Sequence, residues 1–123
     1  MNGNSILIDT NIIIYLFQGN QQIIDFLTGN QLYISSISEI EVLSFPKLTK
    51  EEILEIKSFV QNECIVIELL TNVKDLTIEI RKDYSLKLPD AIIAATALFL
   101  KIPLFTKDHH FRKITQLDLV LLE

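Results

Sequence analysis

Short apolar runs of strand length alternate along this chain with longer stretches in which apolar residues return at helical spacing. SILID at 5–9 reads as a buried strand, and IIIYLF at 12–17, behind the cap-type residues Thr10 and Asn11, reads as a helix. Gly19 and Asn20 break that helix, IIDFL at 23–27 forms a second one ending at Gly29, and LYIS at 32–35 is the next strand. Ser38, followed three residues later by Glu41, predicts a capping box for a helix that Pro46 stops. From 49 to 62, Ile53, Leu54, Ile56, Phe59 and Val60 form one apolar face, with Thr49 and Glu52 as a second capping pair. CIVIEL at 64–69 is a strand, and 72–84 is a helix with Val73, Leu76, Ile80 and Tyr84 on one side. Pro89 suits the first turn of a helix whose Ala94, Ala95 and Ala97 admit a close neighbour, and PLFT at 103–106 and LVLL at 119–122 close the series. Strands alternating with helices predict an α/β fold, a mostly parallel sheet covered on both faces.

At 123 residues the chain suits one domain, 1–123, with no repeat, linker or low-complexity tract. Hydrophobic residues make up 49% and charged residues 22%, which argues against disorder. No apolar run approaches the roughly 20 residues of a membrane span, because Asp9, Lys87 and Lys101 interrupt the greasiest segments. MNGNSILID lacks the features of a signal peptide, so a cytoplasmic location without membrane association is expected. Cys64, the sole cysteine, reads as a strand thiol beside Ile65, Val66 and Ile67. The net charge of −5 opposes simple electrostatic binding of nucleic acid, so bound cations would have to supply part of any attraction.

Asp9, Glu41, Asp90 and Asp108 each stand where an apolar run meets a turn or the first turn of a helix. Each has an ordinary explanation, since helix N-termini favour acids: Asp9 before IIIYLF, Glu41 in the Ser38 box, Asp90 behind Pro89, Asp108 before HHFRKI. Capping does not require acids from separate elements to converge, whereas hard divalent cations do take several oxygen ligands. The expectation is a Mg²⁺ or Mn²⁺ site at the C-terminal edge of the sheet, with the four acids within a few ångströms, serving metal-assisted phosphodiester hydrolysis.

ILIDTNIIIYL, SEIEVL, LPDAIIAATAL and LFTKDHHF resemble, in order and spacing, the motifs of PIN-domain ribonucleases, particularly VapC-type toxins of bacterial toxin–antitoxin pairs. The resemblance spans essentially the whole chain. It implies a three-layer α/β/α sandwich around a short, mostly parallel sheet, a Mg²⁺- or Mn²⁺-dependent endoribonuclease, a homodimer, and a cognate antitoxin as inhibitor. By position, Asp9, Glu41 and Asp90 match the first three acids and Asp108 the fourth, with Glu39 competing for the second place. Where many relatives carry an aspartate before the phenylalanine of the last motif, this chain has His110, which puts a fifth acidic ligand in doubt.

Asn11 and Thr106 are supporting candidates, able either to orient the acids or hold water, or simply to cap. His109 and His110 diverge on a helix, and Arg81, Lys82, Lys87, Lys107, Arg112 and Lys113 offer local positive charge to RNA. The alternative function is a PIN-like module that binds RNA or protein without cutting, which would be expected to lose a central acid. A phosphotransfer protein fits less well, because CIVIEL ends in no phosphate-accepting aspartate and Asp9-Thr10-Asn11 lacks a DxD pair. Apolar surface on 53–60 and 73–84 suggests self-association, and an antitoxin helix is expected in a groove near 12–27 and 40–60.

Overall fold

The computed structural model describes residues 4–123, so the leader expectation for the N-terminus falls partly on residues 1–3, outside the described residues. In chain order the elements are β1 (Ser5–Ile8), α1 (Thr10–Phe17), α2 (Gln21–Leu27), β2 (Gln31–Ser35), α3 (Ser36–Leu43), α4 (Lys50–Glu63) and β3 (Cys64–Ile67). They continue with α5 (Thr71–Asp83), α6 (Leu88–Leu100), β4 (Leu104–Thr106), a 3₁₀ turn (His109–Lys113) and β5 (Leu119–Leu121). The sheet has five strands in the order β3-β2-β1-β4-β5, and every described pairing is parallel.

Strand β1 lies at the centre, so both of its faces are covered and its apolar run is unbroken, as a doubly covered parallel strand requires. Ile6 and Ile8 point into one apolar cluster with Ile12, Ile13, Ile23, Val42, Ile56 and Val60, from α1 to α4. Leu7, between them, points into the other, with Val73 and Ile80 of α5, the alanines of α6, and Phe111 of the 3₁₀ turn. That division makes three layers: helices α1, α2 and α4 on one face, α5 and α6 on the other, the sheet between. Residues Ala91 to Ala97 of α6 are all buried, which is possible because the alanines let α6 pack closely against its neighbours. Among the described residues, no helix is long and apolar enough to cross a membrane.

The elements follow the hydrophobic pattern, with differences at their ends that have local causes. Thr10 and Asn11 lie inside α1, and the cap is Asp9, whose carboxylate accepts from the Thr10 N–H. The box expected at Ser38 and Glu41 does not form. Strand β2 runs directly into α3, so Ser35 is the first side-chain oxygen in reach and accepts from Ile37 N. Ser38 is instead fully buried, with no hydrogen-bond partner for its hydroxyl among the described residues. The Thr49–Glu52 box forms in both directions. The third strand ends at Ile67, because Glu68, Leu69 and Leu70 leave the sheet for the entry to α5. Cys64 is partly buried, and its surroundings push the thiol up to about 12, mainly by burial and secondarily through Glu63.

Candidate active site

The order of strand addition reverses beside β1: β2 and β3 follow on one side, whereas β4 and β5 are added on the other. In an open parallel sheet such a reversal leaves a crevice at the carboxyl ends of the strands. Asp9 follows β1 at that edge, and Asp108 lies two residues beyond β4. The Asp9 N–H donates to Phe105 O at 2.9 Å, so the acid is carried on sheet-like backbone pairing across the reversal.

Asp9 is almost wholly buried, at 5% exposure, and its two carboxylate oxygens are separately engaged. Thr10 N–H donates to Oδ1 at 2.7 Å, and the buried Thr106 hydroxyl donates to Oδ2 at 2.6 Å. Thr106 Oγ1 also accepts from Asp108 N–H at 2.9 Å, so one hydroxyl ties the first acid to the backbone of the last. The Thr10 hydroxyl donates to Glu41 Oε1 at 2.7 Å, linking α1 to α3. Asp108 caps the 3₁₀ turn: its Oδ1 accepts from His110 N–H at 2.9 Å and lies 2.9 Å from His110 Nδ1. Asp90 enters from the first turn of α6, behind Pro89.

Electrostatics join the four side chains. Burial pushes the Asp9 carboxyl up to about 6, with the charges of Asp90 and Asp108 adding to the rise against the hydrogen bonds from Thr106 and Thr10. Asp90 is likewise raised, first by burial and then by Asp108 and Glu41, while Lys87 and His110 act in the opposite sense. Asp90 is thus within electrostatic reach of Asp9, Asp108 and Glu41, and Asp9 of Asp108. Among the described residues, however, no three acidic, histidine or cysteine side chains are gathered closely enough to enclose an ion by themselves. An all-oxygen, open donor set of this kind suits a hard ion that keeps several of its own waters, as Mg²⁺ does. Burial first, and neighbouring acids after it, make ionisation of Asp9 and Asp90 less favourable than in water.

The two supporting candidates, Asn11 and Thr106, are placed differently with respect to the acids. Asn11 Oδ1 accepts from Lys107 N–H at 3.3 Å, which anchors the segment after β4 to α1, and no hydrogen bond joins it to Asp9. Thr106 serves Asp9 through its hydroxyl as well as Asp108. Glu41, not Glu39, is the α3 acid bonded to α1. Thr10, read from sequence only as a cap, escaped notice as the partner of Glu41; its one signal is a hydroxyl directly after a strand-end acid.

The PIN domain family matches residues 6–117. A chain of a toxin–antitoxin complex from Klebsiella pneumoniae is 31% identical, with a TM-score of 0.81 over 93% of this chain and 94% of that one. A chain of VapBC2 from Rickettsia felis, bound to a DNA fragment from its promoter, is 20% identical, with a TM-score of 0.83 over 97% and 99% of the two chains. VapBC-1 from nontypeable Haemophilus influenzae is 22% identical, with a TM-score of 0.79 over 95% and 97%. At those last two identities the likeness is one of fold. No curated protein matches the chain.

Proposed function

The chain belongs to the PIN domain family, and from that membership we propose that it is a divalent-metal-dependent endoribonuclease, the toxin of a toxin–antitoxin pair. What supports this reading most is that Asp9 follows β1 and Asp108 follows β4 at the crevice, and that Asp90, from α6, is within electrostatic reach of both and of Glu41, with Asp9 and Asp90 raised in pKa. Capping alone does not account for a buried Asp9 whose second oxygen is held by a threonine of another strand.

In this reading Asp9, Glu41, Asp90 and Asp108 hold Mg²⁺ or Mn²⁺, with Asn11 and Thr106 in support. When bound, such an ion supplies Lewis acidity toward a phosphate oxygen and lowers the pKa of a coordinated water. The protein's own part is positional. Thr106 and Thr10 N–H fix the Asp9 carboxylate, Thr10 fixes Glu41, and the doubly engaged Oδ1 of Asp108 leaves its other oxygen available.

The antitoxin's proposed seat is the groove between α1, α3 and α4. A cavity of about 220 Å³ there is floored by Ile13, Ile14, Val42, Phe45, Leu48 and Ile56 and rimmed by Glu52 and Glu55. An apolar floor with an acidic rim favours an amphipathic helix with basic flanks. The four-residue edge strand β3 and the exposed Ile40 and Ile78 favour a homodimer.

The test is cleavage of total cellular RNA in Mg²⁺ or Mn²⁺, beside a chelator control and the Asp9→Asn and Asp90→Asn variants. Cleavage is expected only with metal and with both aspartates intact. Cleavage that survives the chelator or both variants rejects the metal-dependent reading, and RNA binding without cleavage favours the non-cutting module.

A further inference from the structure

An RNA strand approaching a protein of net charge −5 meets repulsion overall, so its approach to the carboxylates depends on where individual cations are held. The basic side chains singled out by sequence divide sharply. Arg81 Nη1 donates to Leu86 O at 3.4 Å and Lys113 Nζ donates to Ser85 O at 3.2 Å, so both are used to secure the connection between α5 and α6. Lys82 and Arg112 are exposed and stand further along the chain from the acids, eight residues before Asp90 and four after Asp108.

Lys107 and Lys87 differ from these. Lys107 stands between Thr106 and Asp108, yet its ammonium forms no ion pair with a neighbouring acid: among the described residues the one such pair is His110 with Asp108. Lys107 Nζ instead donates to the Tyr15 hydroxyl at 3.2 Å and lies 4.8 Å from the Tyr15 ring centroid, while its backbone N–H is held by Asn11. A flexible lysine is thereby retained on the α1 side by a hydrogen bond and a cation–π contact, with two of its three donor hydrogens free for an anion. Lys87 is the exposed residue preceding α6, and its charge is felt at Asp90. Lys107 directly precedes Asp108 at the end of β4, and Lys87 precedes α6 three residues before Asp90, so the two lysines stand beside different acids of the edge.

Resting on the nuclease reading, we propose that Lys107 and Lys87 are phosphate-binding residues that carry a single RNA strand across the carboxylate edge, Lys107 held in position by Tyr15. Both contact backbone phosphate and neither reads a base, so they set the register of the strand and leave sequence choice to other groups. Tyr15 is a positioning residue: without its ring and hydroxyl, the Lys107 ammonium is free to turn onto Asp108, where it is lost to RNA.

The test is the salt dependence of binding to a fluorescently labelled oligouridylate, with Ca²⁺ in place of Mg²⁺ and KCl varied. For single strands each phosphate contact contributes roughly 0.7 to the slope of log affinity against log salt. Lys107→Gln and Lys87→Gln are each expected to lower the slope by about 0.7, and the double variant by about 1.4. Lys101→Gln, at the far end of α6, is expected to leave it unchanged. Tyr15→Leu keeps every charge, yet its slope is expected to move toward that of Lys107→Gln. Calorimetric Mn²⁺ affinity and melting temperature, not weakened in the two lysine variants, show the site and fold intact. Unchanged slopes in Lys107→Gln and Lys87→Gln, or an equal fall in Lys101→Gln, overturn the inference. A wild-type protein that binds no RNA at any salt overturns the nuclease reading and this inference with it.

Discussion

Asp9 shows how much one side chain's surroundings set its chemistry: a buried carboxyl beside two other acids titrates at about 6 rather than at its ordinary 3.8. The folded state therefore favours the protonated form. Its contribution to stability is full below the unfolded pKa near 4 and is lost as pH rises through about 6. In chelator, urea melts from pH 4 to pH 7 are expected to lose on the order of 3 kcal/mol from this group, with Asp90 adding in the same direction. Asp9→Asn should flatten that slope and abolish cleavage, so stability and activity move apart; a simple cap would lose neither, since Asn caps as well as Asp. Thr106→Val deletes the donor to Asp9 and the acceptor for Asp108 N–H, and a loss of about 1.5–3 kcal/mol together with most of the activity is expected. Ser38→Ala, which removes a buried hydroxyl without a described partner, is expected to be neutral or stabilising in the same melts. The positions of the acids were legible because a charge ending an apolar run is conspicuous in sequence. Thr10 and Tyr15 were not, because their partners, Glu41 and Lys107, are 31 and 92 residues away and no periodicity connects them.

Among the elements, the strands and helices were legible wherever apolar spacing alone decides them, as in α4 and the central β1. Asp9 and Asp108 cap the elements that follow them, as their positions suggested, but a capping box was legible only where a loop precedes the helix. Thr49 follows such a connection and forms its box with Glu52, so Thr49→Ala should cost about 1 kcal/mol in a urea melt with cleavage unchanged. Ser38 and Glu41 have the same spacing, yet β2 enters α3 without a loop and Ser35 takes the cap. At the other end of α6, Lys101 closes the helix at φ 57°, in the left-handed region that favours glycine. Lys101→Gly is expected to raise stability by about 1 kcal/mol, because a side chain there costs roughly 1–2 kcal/mol.

For the molecule as a whole, the parallel sheet with helices on both faces follows from the order of apolar segments, whereas the reversal that puts β4 beside β1 does not. Strand order depends on which faces meet in space. Exposed Ile40, Ile78 and Leu88, each more than half accessible, lie outside both apolar clusters. Light scattering at tens of micromolar is expected to show a dimer; a monomer at that concentration would count against self-association. The same reversal has a consequence in time. The hydrogen bond between Thr106 and Asp9 joins residues 97 apart, and the strands between them must be laid down before β4 can insert beside β1. A chain emerging from a ribosome therefore displays its first acid early but cannot complete the carboxylate edge until Thr106 and Asp108 have followed. On the proposed reading, nuclease activity is therefore available only to a chain extended past Asp108.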